Sequence, residues 1–126
     1  MSFSNAFETT VLTWAFTTGS ATRPTAWHLA LFTSNPAEDA SGTEVSGGGY
    51  VRQAATFTVS GNTASNSGAI EYPTATAGYG TVSHVGVFDA SSGGNLISYA
   101  ALTTSKTIDT GDVFRVPAGD LDITLD

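Results

Sequence analysis

Val82-Ser83-His84-Val85-Gly86-Val87-Phe88 alternates apolar residues with small or polar ones, and this rhythm decides the fold. A period of two sends one set of side chains to a buried sheet face. The other set points to solvent or to a second layer. The same rhythm returns in Ala55-Thr56-Phe57-Thr58-Val59 and in Leu121-Asp122-Ile123-Thr124-Leu125. Turns rich in Gly, Ser, Asn and Asp separate such runs from residue 43 to the end. The pattern predicts an all-β chain: an antiparallel β-sandwich or jelly roll of about eight strands, with one short N-terminal α-helix.

Working outward, residues 27–33 read as a strand with Trp27, Leu29 and Leu31 on one face and His28, Ala30 and Phe32 on the other. Apolar residues on both faces predict a central strand. Residues 35–49 form a long polar loop that ends in Gly47-Gly48-Gly49. Residues 50–59 follow as a strand, with a bulge or break at Ala54-Ala55. Gly61-Asn62 is a hairpin signal. Further strands are expected at 63–66, 69–72, 81–89, 96–102, 106–108, 113–116 and 121–125. The expected core is Leu29, Leu31, Val85, Val87, Phe88, Ile123 and Leu125.

Residues 5–18 are the one good helix candidate. Asn5 can cap it, Glu8 can reach back to close a capping box, and Gly19 supplies a stop. Phe7, Val11 and Trp14 fall at i, i+4 and i+7, with Leu12 and Phe16 read as widening that stripe. The β-branched Thr9, Thr10, Val11 and Thr13 lower helix propensity. Packing, against the chain's own sheet or a neighbouring subunit, is therefore expected to order the helix. Phe7, Val11, Leu12, Trp14 and Phe16 are the candidate interface. The organisation expected is a helix and linker over 1–26 and a β domain over 27–126.

Composition narrows the function. The chain has 126 residues, enough to bury roughly two-thirds of its unfolded surface without staples. It has no cysteine, so thiolate chemistry and disulfides are excluded. The net charge is −7, and the four basic residues Arg23, Arg52, Lys106 and Arg115 are scattered. No basic stripe exists to neutralise phosphates, so neither nucleic acid nor an anionic membrane is an expected partner. Charged residues make up 12% of the chain, about half the usual share. A surface of hydroxyls and bare backbone buries against other proteins at small desolvation cost, which favours life inside an assembly. Residues 1–10 lack the basic n-region of a signal peptide, and no run nears the eighteen or so apolar residues of a membrane span. The expectation is synthesis in a cytoplasm.

No constellation of catalytic residues emerges. His28 and His84 have no ligand or acid two residues away on the same face. Asp109, Asp112, Asp120 and Asp122 do not follow a calcium-loop pattern, and Asx-turn bonding accounts for them. A nucleophile elbow is missing, and the triple glycine has neither the lysine nor the helix of a phosphate cradle. The reading assigns no enzyme activity, no cofactor and no metal. Trp27, Tyr50, Tyr72, Tyr79 and Tyr99 could stack on sugars. Tyr79, between Gly78 and Gly80, is the one expected to be exposed and is the candidate glycan contact.

Several pieces resemble a family of short phage virion proteins usually labelled tail-fibre proteins. They are Leu29-Ala30-Leu31-Phe32-Thr33-Ser34, Gly42-Thr43-Glu44-Val45-Ser46-Gly47-Gly48-Gly49-Tyr50, Ala69-Ile70-Glu71-Tyr72-Pro73-Thr74-Ala75-Thr76-Ala77, Gly80-Thr81-Val82-Ser83-His84-Val85-Gly86-Val87-Phe88-Asp89, Gly111-Asp112 and Ala118-Gly119-Asp120-Leu121-Asp122-Ile123-Thr124-Leu125. They run in the family's order over residues 27–126. The resemblance implies a structural protein of the virion, assembled in the host cytoplasm as a homotrimer beside other virion proteins such as the major capsid protein or tail proteins. Of the places it allows, capsid decoration that cements the head is favoured. A tail-fibre or tail-tip module is the alternative, and a lectin-like host-recognition domain the second alternative.

Overall fold

A computed structural model describes residues 1–125; residue 126, the last of the expected β domain, lies outside the described residues. Ten strands and one helix follow in the order β1 (Ser2–Phe3), α1 (Asn5–Phe16), β2 (His28–Phe32), β3 (Gln53–Ala54), β4 (Phe57–Ser60), β5 (Thr63–Asn66), β6 (Ile70–Glu71), β7 (Gly80–Phe88), β8 (Leu96–Ile108), β9 (Arg115–Val116) and β10 (Asp122–Thr124). They form antiparallel sheets of five strands (β1-β8-β7-β2-β3), three strands (β10-β5-β4) and two strands (β6-β9). The chain is thus mostly β with one short helix, as its patterning predicts.

The two smaller sheets cover one face of the large one. Leu29, Leu31, Val85 and Val87 present that face. They pack with Ile70, Tyr72, Phe114 and Leu121, and with half-buried Phe57, Val116 and Ile123. The opposite face holds a smaller cluster of Ala30, Phe32, Phe88 and Leu96, joined by Ala40 and Tyr99. Strand β2 is interior, next to the central β7, paired with β7 from His28↔Phe88 to Phe32↔His84 and with the short edge strand β3 at His28↔Ala54 and Leu29↔Gln53. Gly86 keeps this face close-packed, because a Cβ there would stand 2.9 Å from Leu96 and 3.2 Å from Phe32.

The departures from expectation have physical causes. The strand read over 50–59 is split, with β3 and β4 in different sheets. Those read at 96–102 and 106–108 are one strand, β8. Its register with β7 passes from Val82↔Lys106 to His84↔Ala101, so residues 102–105 bulge opposite Ser83. Gly61-Asn62 does close a two-residue hairpin, with Ser60 opposite Thr63 and Gly61 at φ 59°. Leu125 is not core: it is 53% exposed at the end of the short β10 edge strand, where no strand covers it.

Helix α1 is also capped differently. Ser4, not Asn5, is the N-cap, and its hydroxyl accepts from the Phe7 amide at 3.2 Å. Strand β1 imposes this. Pairing Ser2↔Tyr99 and Phe3↔Ser98 carries the extended backbone up to Ser4, whose amide donates to the Ile97 carbonyl at 2.9 Å. The Ser4 hydroxyl donates to the Leu96 carbonyl. Phe3 meets Phe7 edge-on at 4.8 Å, fixing the entry angle in the manner of a hydrophobic staple. The threonines that weaken the helix bond back along it: Thr9 to the Asn5 carbonyl at 3.1 Å and Thr10 to that of Ala6 at 3.0 Å. The helix ends at Phe16, where Thr17 turns extended and accepts from Gly19 through its hydroxyl, rather than running on to 18.

Candidate assembly surface

The helix carries no buried residue, so its apolar face is not absorbed by the sheet beneath it. Phe7 and Val11 are half-buried, and Trp14 is 73% exposed. Leu12 and Phe16 do not widen this stripe. At 3.6 residues per turn they stand about 140° and 180° round the axis from Phe7, on the far side of the helix. There they are 57% and 80% exposed. Trp14 and Phe16 together leave about 300 Å² of aromatic surface in water. A helix apolar on opposite sides is the kind that is buried on both.

Two grooves flank the inner side. One, of about 480 Å³, is lined by Phe3, Phe7, Val11, Trp14, Pro24 and Leu125, with Arg23 the one charged residue of the lining. The other, of about 450 Å³, shares Phe3, Phe7, Arg23 and Leu125 and continues over Phe57, Val59 and Ile123. Val59 is exposed, so this apolar track runs from the helix onto the three-stranded sheet.

Away from this surface, one polar network orders the loops. Arg52 grips Glu44 with two parallel bonds, Nη2 to Oε1 at 2.8 Å and Nε to Oε2 at 2.9 Å. Its Nη1 donates to the Ala90 and Gly93 carbonyls at 3.0 and 2.8 Å, and its guanidinium lies 3.7 Å from the Phe88 ring centroid. Tyr50 donates to Glu44 Oε2 at 2.6 Å and accepts from the Leu31 amide at 3.0 Å. The hydroxyl stands in for a strand there, since β3 pairs no further along β2 than Leu29. Burial works against the Glu44 charge, but the Arg52 and Tyr50 hydrogen bonds outweigh it and hold the carboxyl below the usual range. Burial, reinforced by the bond to Glu44, pushes the Tyr50 phenol up. The arrangement locks the 42–50 loop to the 89–95 turn.

The triple glycine serves the same loop. Gly47, Gly48 and Gly49 all have positive φ, and a Cβ on Gly48 would stand 2.4 Å from the Ala77 carbonyl oxygen.

Tyr79 is not the exposed aromatic it promised to be. It is 4% exposed, its hydroxyl donates to the Pro73 carbonyl at 3.2 Å, and its ring meets Tyr50 edge-on at 5.7 Å. Tyr72, which stacks on Tyr50 and donates to the Leu29 carbonyl at 2.5 Å, is likewise interior. These rings bind the layers together, so Tyr72 and Tyr79 are core residues. His84 is bonded to the Ser83 hydroxyl at 2.8 Å, while His28 Nδ1 is buried without a partner among the described residues. Asp112 accepts from the Asp109 amide at 2.9 Å, and Asp122 accepts from Ser65, so these aspartates lock a turn and a strand pair. No group of three or more metal-ligating residues gathers among the described residues. Nor is any helix there long and apolar enough to cross a membrane.

A family model described as podophage GP4 fiber I protein gp80 matches residues 2–124. The chain belongs to the podophage GP4 fiber I protein family. The match takes in β1, α1 and every strand of the three sheets, so the family's shared body includes the exposed helix as well as the β core. As a phage fiber protein it is a structural protein and a component of the virion. No curated protein matches the chain.

Proposed function

We propose that this chain is a non-enzymatic subunit of the phage fibre, assembled as a homotrimer through α1 and docked on other virion proteins. The observation that carries the reading is the exposed aromatic surface of α1, Trp14 and Phe16, on a member of a fiber protein family. Large aromatic side chains left in water on both sides of one helix mark protein contacts. The sparse charge fits the same role, because interface cores are depleted of charged residues. The polar network and the interior tyrosines then hold the β body beneath the helix in one shape.

Gold-labelled antibody against the purified protein, applied to intact virions, tests the placement. Label is expected at the tail, with band intensity well below that of the major capsid protein. Label spread over the head, with band intensity comparable to the capsid protein, would establish capsid decoration in its place.

A further inference from the structure

We propose that copies of this chain join head to tail, the outer ridge of one helix α1 entering the groove on the inner side of the next copy's helix. This rests on the self-assembly stated above and names the surfaces that make it. Glu8, Leu12 and Phe16 lie at i, i+4 and i+8, which puts them on one ridge of α1, and all three are exposed. The ridge is therefore apolar with one acidic residue, the only charge on the helix. The groove is its complement. Phe3, Phe7, Val11, Trp14 and Leu125 line it, and Arg23 is the only charge in that lining.

Glu8 and Arg23 do not pair within the chain; the ion pairs among the described residues are Arg52–Glu44 and Arg115–Glu71. The helix itself keeps them apart. Glu8 is about 100° round the axis from Phe7, on the ridge side, while Arg23 borders the groove on the other. A second copy removes the separation, because its ridge brings an acid to the base. Leu12 and Phe16 then leave water for an apolar seat, and the one charge on each surface meets its opposite. Ridge and groove occupy opposite sides of one helix, so the contact is heterologous. It closes into a ring when the rotation per subunit permits.

The test uses the full chain in solution, with size-exclusion chromatography and light scattering over a dilution series. Variants are Glu8→Arg, Arg23→Glu and the two combined; both positions are exposed, and circular dichroism checks that each variant is folded. The wild type is expected to be an oligomer. Each single reversal places like charges together and should weaken assembly at least about tenfold. The double variant restores it, which happens only when both charges belong to the same interface between copies. Single reversals without effect, or a double variant no better than either single, overturn the contact while leaving the oligomer standing. A wild type monomeric at high micromolar concentration overturns both. In that case loss of Glu8→Arg or Arg23→Glu protein from virions would assign the surface to a different virion protein. The virion labelling is independent of all these outcomes.

Discussion

Arg52→Met is expected to destabilise the fold by about 3 kcal/mol. The Arg52 side chain is 8% exposed and that of Glu44 26%, so removing the guanidinium strands a carboxylate that water reaches only in part. The Ala90 and Gly93 carbonyls lose their donor in the same step. Met keeps the length of the apolar stem, so the loss reports the guanidinium: its hydrogen bonds and its stacking on Phe88. Arg52→Lys should recover less than half of it, because one ammonium cannot span two carboxylate oxygens and two carbonyls. Urea unfolding measures each variant, and an Arg52→Met protein within about 0.5 kcal/mol of wild type would show that the network adds nothing.

The network also fixes an acid limit. Glu44 titrates lower in the folded chain than in the unfolded one, so the unfolded state takes up its proton first as pH falls. Its stabilisation is complete above the ordinary Glu value, about 4.5, and drains away as pH drops through the lower folded value. Asp89, held down by hydrogen bonds from Asn95, acts in the same direction. Wild-type melting temperature should therefore fall on acidification below about pH 4.5. Glu44→Gln should show a shallower fall without abolishing it, since Asp89 remains. Melting curves at pH 3 to 7 decide the matter, and equal acid sensitivity in the two proteins would exclude Glu44.

Leu31→Ala should cost about 2–5 kcal/mol. Leu31 is buried in the interior strand β2, opposite Val85, and the core around it is built from three sheets that cannot all close over the void. Leu125→Ala deletes the same atoms from a position 53% exposed and should change stability by no more than about 0.5 kcal/mol. Thermal and urea unfolding of the pair compare core with edge directly. Equal losses would mean that Leu125 is covered in the folded protein.

The layered β body was legible because strand periodicity is local. His28-Leu29-Ala30-Leu31-Phe32 announces a two-faced central strand by itself, and Gly61-Asn62 announces its own hairpin. Strand β1 was not legible, since two residues carry no period and their pairing partner Tyr99 is remote in sequence. That pairing moved the helix cap from Asn5 to Ser4. Tyr79 misled for a related reason. Flanking glycines suggest an open loop, yet the segment is packed down, with the Tyr79 amide bonded to the Ile108 carbonyl at 2.8 Å, and Gly80 is there for its positive φ of 81°. The division of the helix into ridge and groove lies in the spacing of Phe7, Leu12 and Phe16, since positions five and nine residues after Phe7 fall on the far side of a helix. Arg52 had no such signal, because four scattered basic residues look alike until a loop closes one of them over Glu44.

Ser4 gives the molecule a mechanical character as well. Its amide and hydroxyl fasten α1 to the Ile97 and Leu96 carbonyls, at the very start of β8. A pull on the helix is thus delivered to the longest strand of the fold, which is flanked by β1 on one side and β7 on the other. The ladder to β7 runs from Phe88↔Leu96 to Gly80↔Ile108, broken by the 102–105 bulge, so tension entering at one anchor is shared first among the bonds between that anchor and the bulge. Just ahead of that anchor, the 89–95 turn is clamped by Arg52. A subunit held by its helix would carry strain through its stiffest element while its exposed loops stayed slack.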